Sequence, residues 1–149
     1  MKAIILAAGV GKRMRPLTLK TPKPLLRVNS KPIIDYVLES LPPEIDQVII
    51  VVNYLSSQIK KHVGKNYHGL QIIYVTGSDK GSAHSFMAAK KYLHNERFLV
   101  VYGDEIPNAI DVKHCLAKNL SILVFESKNP QAHGIAYLKK DGTIKQIVE

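Results

Sequence analysis

Two glycines, three cations and a lysine between prolines make the first 34 residues the chemically loaded part of this 149-residue chain. Gly9 and Gly11 directly follow the apolar run Lys2–Ala7, and Lys12, Arg13 and Arg15 come next. Glycines placed straight after a strand let backbone N–H groups approach a phosphate closely, and the cations add charge there. Lys23 stands between Pro22 and Pro24, whose fixed φ stiffens the backbone that presents it. From Met1 to Ile34 there are eight basic residues, no acidic ones and no aromatic. Such a segment calls for an anionic partner. A nucleic-acid surface would add a recognition module or interleaved aromatics for base stacking, so a small phosphate-bearing ligand fits better. The loop is neither of the two common phosphate fingerprints. Met14 stands where a dinucleotide-binding loop has its third glycine, Leu6 where a P-loop has its first, and Arg13 where a P-loop has Ser or Thr.

Two further groups of residues add to this. Gly81-Ser82-Ala83-His84 opens a helical pattern; the glycine admits a flat ring against the backbone, and the Ser82 hydroxyl either reaches a ligand or caps the helix. His84 reads as a helix-face residue. Gly103-Asp104-Glu105 ends an apolar run, and a carboxylate beside a glycine is a common way to hold Mg²⁺, which keeps waters and takes one or two protein carboxylates. Asp104 is the stronger candidate and Glu105 the weaker.

The elements that must position these groups follow from periodicity. Buried strands are expected at Lys2–Ala7, Gln47–Val52, Leu70–Val75, Arg97–Tyr102 and Leu120–Phe125. Helices are expected from a Ser30 cap to Pro42-Pro43, at Ser56–Val63 and at Ser82–Leu93, the last with Phe86, Met87, Ala89 and Leu93 toward the core. A hairpin is expected from His133–Leu138 and Thr143–Val148 around Asp141-Gly142. Alternating strands and helices make an α/β domain with a largely parallel sheet, whose ligands bind beyond the carboxyl ends of the strands. The loops after Ala7 and after Tyr102 both leave such ends.

Residues 3–33 also carry a longer pattern: Ala-Ile-Ile-Leu-Ala-Ala-Gly-x-Gly-x-Arg-Met-x-Pro-Leu-Thr, then Thr-Pro-Lys-Pro-Leu-Leu and Lys-Pro-Ile. This strongly resembles the sugar nucleotidylyltransferases, or nucleoside-diphosphate-sugar pyrophosphorylases. The resemblance implies a Rossmann-like three-layer sandwich around a mostly parallel mixed sheet. It implies transfer of a nucleoside monophosphate from a nucleoside triphosphate to a sugar 1-phosphate, with Mg²⁺. Carried over by position, the nucleotide loop is Leu6, Ala8, Gly9 and Gly11, while Arg13 holds the β- and γ-phosphates and Lys23 stabilises the reacting phosphates. Gly81 and Ser82 match the step that contacts base and ribose, and Asp104 matches the magnesium carboxylate. Thr76 stands where members that read a pyrimidine through glutamine carry it, which leaves the base open. Gly134 and Glu149 match sugar contacts, and His133-Gly134 the family's Tyr-Gly. The chain stops at Glu149, before the family's Lys-Pro. The expectation is one domain over residues 1–149 without the C-terminal part of the usual catalytic domain, its second metal carboxylate and much of the acceptor pocket.

Composition bounds the rest. With 46% hydrophobic and 22% charged residues the chain is an ordinary globular one, and no apolar stretch is long enough to span a bilayer. Cys115 alone excludes an internal disulfide framework and fits a reducing cytoplasm, and six histidines lack zinc-ligand spacing. The net charge of +9 suits an anionic substrate. Neither nucleic acid nor membrane is expected as a partner, and a homodimer is expected to cover an apolar edge. The competing readings are a nucleotide-binding module with little turnover and transfer to an alcohol phosphate such as phosphocholine.

Overall fold

The computed structural model describes residues 1–130 and 134–148. They fall into two compact units, Met1–Asn119 and Leu120–Glu149. The first is built on strands β1 (Lys2–Ala7), β4 (Gln47–Val52), β5 (Asn66–Tyr67), β6 (Leu70–Thr76) and β7 (Phe98–Tyr102) in the order β5-β6-β4-β1-β7. All neighbours are parallel except β5, which returns antiparallel on β6, so the sheet is mixed and mostly parallel, as expected. β1 lies between β4 and β7, with Ile5 in register with Ile50 of β4 and Val101 of β7.

A central parallel strand is covered on both faces, which is why its sequence is apolar without alternation. Ala3, Ile5 and Ala7 point to one cluster, with Val48, Ile50 and Val52 of β4 beneath helices α1 (Ile33–Glu39) and α2 (Ser56–Val63). Ile4, Ile49 and Val51 point to the other, against Phe86 and Ala89 from helix α3 (Ser82–Met87) and the turn after it. Helix, sheet and helix make the three layers. Among the described residues no helix is long and apolar enough to cross a membrane.

Four local expectations differ. Ser30 does not cap α1. Asn29 (φ 49°) and Ser30 (φ 66°) form the two-residue turn between β2 (Arg27–Val28) and β3 (Lys31–Pro32), and α1 starts behind Pro32 without a side-chain cap. Left-handed φ at both turn residues is the geometry that matches hairpin twist. α1 stops at Glu39, short of the prolines, because Pro42 and Pro43 have no N–H to give to the carbonyls of Leu38 and Glu39. The segment expected as one helix over Ser82–Leu93 is α3 followed by a 3₁₀ turn, Lys90–Tyr92. Its bonds run from Ala89 N–H to Phe86 O and from Tyr92 N–H to Ala89 O, so the period tightens to three. Phe86, Ala89 and Tyr92 then share the core side, and Met87 turns out to 54% exposure. Leu120–Phe125 is not a strand: none of the described strands pairs with it, and its residues are exposed. Helix α4 (Ala109–Leu116), capped by the Asn108 side chain accepting from the Ile110 N–H at 2.8 Å, was not legible from the periodicity.

In the second unit β8 (Ile135–Leu138) and β9 (Ile144–Val148) form the expected antiparallel hairpin. Gly142 takes φ 80°, and Asp141 Oδ1 accepts the Thr143 N–H at 3.0 Å, which closes the turn. His133 and Glu149 lie outside the described residues.

Candidate active site

Because β1, β4, β6 and β7 run parallel, the loops that leave their carboxyl ends meet at one edge of the sheet. The loop after β1 is held from within. Gly11 sits at φ 66°, where an added Cβ would also lie 2.9 Å from Thr18 Cγ2, so only glycine fits. The buried Thr18 hydroxyl donates to the Gly11 carbonyl at 2.8 Å and ties the loop to the following turn. Three short 3₁₀ turns, Lys12–Met14, Leu17–Leu19 and Lys23–Leu25, replace regular structure through the proline-punctuated stretch.

Lys23 opens the last of these turns behind Pro22, with Pro24 buried beneath it. Its Nζ lies 2.5 Å from Asp104 Oδ2, an ion pair in which each side chain is about 30% exposed. Asp104 is brought there by the close approach of the β7 and β1 ends. The Gly103 N–H donates to Leu6 O at 2.9 Å, and a Cβ on Gly103 would stand 3.0 Å from Ala7 Cβ. Residues 81 apart in sequence are thereby fixed side by side.

Between these loops lies a cavity of about 450 Å³. Leu6, Ala8, Gly9, Gly11, Arg13, Lys23, Gly81, Ser82 and Asp104, all singled out in the sequence, line it together. Arg15, His84 and Glu105 are exposed and do not line it. Thr76 ends β6 and is also outside the lining. Ser82 is the first residue of α3 rather than its cap, so its hydroxyl makes no capping bond. Gly134 belongs to the second unit. The sequence reading missed Asn53, Ser78, Asp79, Ser85 and Tyr102, which also line the cavity. Asn53 and Tyr102 had a usable signal, since each stands at the carboxyl end of an apolar run, although β7, expected to be buried, is an edge strand with Phe98, Val100 and Tyr102 exposed. A wider, flatter depression lined by Lys90, Lys91 and His94 contains none of the expected site residues.

The family model described as Nucleotidyl transferase matches residues 2–149. The chain belongs to that family. It is 33% identical over its whole length to the bifunctional protein GlmU of Methanocaldococcus jannaschii, covering 36% of that protein. It is also 33% identical to the mannose-1-phosphate guanylyltransferase catalytic subunit beta of Drosophila pseudoobscura pseudoobscura, with 99% of this chain and 43% of that one covered. A Bacillus anthracis crystal structure assigned as a glucose-1-phosphate thymidylyltransferase superposes with a TM-score of 0.88 at 26% identity, covering 100% of this chain and 64% of that one. The family resemblance and the α/β fold expected from the sequence are therefore both borne out. The chain spans less than half the length of these two curated relatives.

In this family member the cavity joins two kinds of wall. Arg13 and Lys23 bring positive charge to the glycine loop, while the wall from Ser78 to Ser85 presents hydroxyls and one carboxylate. An elongated anion with a neutral end fits such a division. Asp104 is the carboxylate that faces Lys23.

Proposed function

We propose that this chain holds the nucleoside-triphosphate site of a sugar-1-phosphate nucleotidylyltransferase. The reaction transfers a nucleoside monophosphate to a sugar 1-phosphate. An oxygen of the sugar phosphate forms a bond to the α-phosphorus, the bond from that phosphorus to the β-phosphate oxygen breaks, and pyrophosphate leaves with the electron pair. The products are a nucleoside-diphosphate sugar and pyrophosphate, with no covalent enzyme intermediate.

The observation that carries this reading is the single cavity lined at once by the glycine loop, Arg13, Lys23, Asp104 and the Gly81-Ser82 step. Arg13 offers a planar fork that binds two phosphate oxygens together, which suits the β- and γ-phosphates. Lys23 is a compact charge on a proline-stiffened turn, suited to the oxygens on which charge builds as the bond breaks. Leu6, Ala8 and Gly9 offer backbone close to the nucleotide, and Gly81 and Ser82 the face for ribose and base. Holding both reactants in line accounts for much of the rate in a reaction of this type.

Mg²⁺ fits the donor set. One carboxylate with free lone pairs beside a phosphate site is what this ion takes when substrate oxygens and waters complete its shell, and Asp104 provides it. When bound, the ion neutralises phosphate charge and polarises the reacting phosphoryl group. Lys23 and Asp104 neutralise each other as an ion pair; with phosphates bound, Lys23 would turn to the phosphate oxygens and Asp104 would be the residue that holds the cation. A sugar-contacting role for Gly134 and Glu149 and a cytoplasmic location belong to the same reading.

The test is pyrophosphate release from the purified protein with Mg²⁺, a nucleoside triphosphate and a sugar 1-phosphate. Release that requires all three supports the proposal. Triphosphate binding without sugar-phosphate-dependent release would reduce the protein to a nucleotide-binding module.

A further inference from the structure

We propose that Asp79 selects the nucleobase, and that the base it selects is guanine. The inference rests on the cavity being the triphosphate site. Asp79 lines that cavity on the wall opposite in character to Arg13 and Lys23. A carboxylate there repels phosphate, so the triphosphate lies along the cationic loop and the uncharged end of the nucleotide turns to the Ser78–Ser82 wall. Thr76, at the end of β6 just before this loop, does not line the cavity.

The loop that carries Asp79 is pinned on both sides. Gly77 donates its N–H to Val52 O at 2.8 Å and packs so tightly that an added Cβ would stand 2.7 Å from Ala8 Cβ. The Ser85 hydroxyl, 3% exposed as a residue, accepts the Ser78 N–H at 3.1 Å and donates to Ser78 O at 2.9 Å. Ser78 Oγ in turn accepts the Lys80 N–H at 3.1 Å. Both backbone groups before Asp79 and the one after it are thus held, while the Asp79 carboxylate has no hydrogen bond or ion pair to any described residue. A fixed backbone with an uncommitted side chain at a ligand wall is the form a specificity residue takes.

The chemistry of that side chain chooses the base. An ionised carboxylate only accepts hydrogen bonds, and it has two oxygens to do so. Guanine presents two adjacent donors, N1–H and the N2 amino group, which match it in a bidentate, charge-assisted pair. Uracil and thymine present one donor between two carbonyls that a carboxylate repels. Adenine and cytosine present one amino donor beside a ring-nitrogen acceptor.

The experiment is calorimetric titration of the protein with GTP, ATP, CTP and UTP in Mg²⁺, for wild type, Asp79→Asn and Asp79→Ala. Wild type is expected to bind GTP at least about tenfold tighter than UTP, the scale of one charge-assisted pair. Asp79→Asn exchanges one acceptor for a donor, which matches uracil's N3–H and O4, so its GTP-to-UTP ratio should fall by about tenfold to a hundredfold. Asp79→Ala should lose the preference for GTP without that added gain for UTP. The ratio is the readout, because removal of a negative charge helps every triphosphate alike. Triphosphate binding with no guanine preference in wild type, or one common factor for all four ligands in the Asn variant, overturns this inference alone. Failure of every triphosphate to bind overturns the nucleotide reading and this inference with it.

Discussion

Lys23 and Asp104 are the residues on which the chemistry turns, and each gives a separate prediction. Lys23→Ala removes one fixed cation from the reacting phosphates, so kcat for pyrophosphate release should fall by roughly 10²–10³, the usual loss for one electrostatic donor. An unchanged kcat would assign Lys23 to the solvated surface. Asp104→Asn keeps the shape and removes the charge, so the Mg²⁺ concentration that supports half-maximal rate should rise sharply while the melting temperature changes little. A metal titration identical to wild type would put the ion elsewhere. Both positions were legible from residue type and neighbours alone: a lysine between prolines and an aspartate after a strand-end glycine. Their 2.5 Å contact was not, because pairing across 81 residues depends on which strands lie side by side. Asp79 was passed over for a related reason. An aspartate in a Gly-Ser-Asp-Lys-Gly loop reads as a solvated turn until the Ser85 clamp and the cavity wall are seen.

Among the elements, those with strong periodicity or unbroken apolar runs were read within a residue or two, and those shaped by tertiary packing were not. β1, β4, α2 and β6 matched because their apolar residues face fixed partners in the two clusters. The β2–β3 turn was read as a helix cap because Ser suits either role, and only the left-handed φ at Asn29 and Ser30 decides between them. Leu120–Phe125 has strand composition, but composition does not reveal whether a ladder forms, and the segment is in none of the described sheets. Tyr67 on β5 carries a pH-dependent contribution to stability. Burial, and then the carboxylates of Asp35 and Glu39, push the Tyr67 hydroxyl up to about 12. The unfolded value is about 10, so the native state holds the proton more tightly. Its contribution to stability is fully present below pH 10 and is lost as pH rises through 12. Denaturant unfolding between those values should therefore show a shallower decline for Tyr67→Phe than for wild type. Parallel declines would contradict the assignment.

At the scale of the whole molecule, what stands out is apolar surface left in contact with solvent. β7 is the outer strand on its side of the sheet, and Val100 and Tyr102 on it are 39% and 47% exposed. Leu120 and Phe125 of the second unit are 95% and 75% exposed. Edges and patches of this kind favour association, so analytical ultracentrifugation should show a concentration-dependent dimer. A monomer at every concentration would contradict that expectation. The proposed triphosphate site is the cavity at the carboxyl ends of β1, β4, β6 and β7. Nuclear magnetic resonance of the ¹⁵N-labelled protein, titrated with Mg²⁺ and a nucleoside triphosphate, tests it most directly. The largest amide shifts are expected on Ala8 to Arg13, on Gly81 and Ser82, and on Gly103 and Asp104. Shifts confined to the depression around Lys90, Lys91 and His94, or none at saturating ligand, would contradict it.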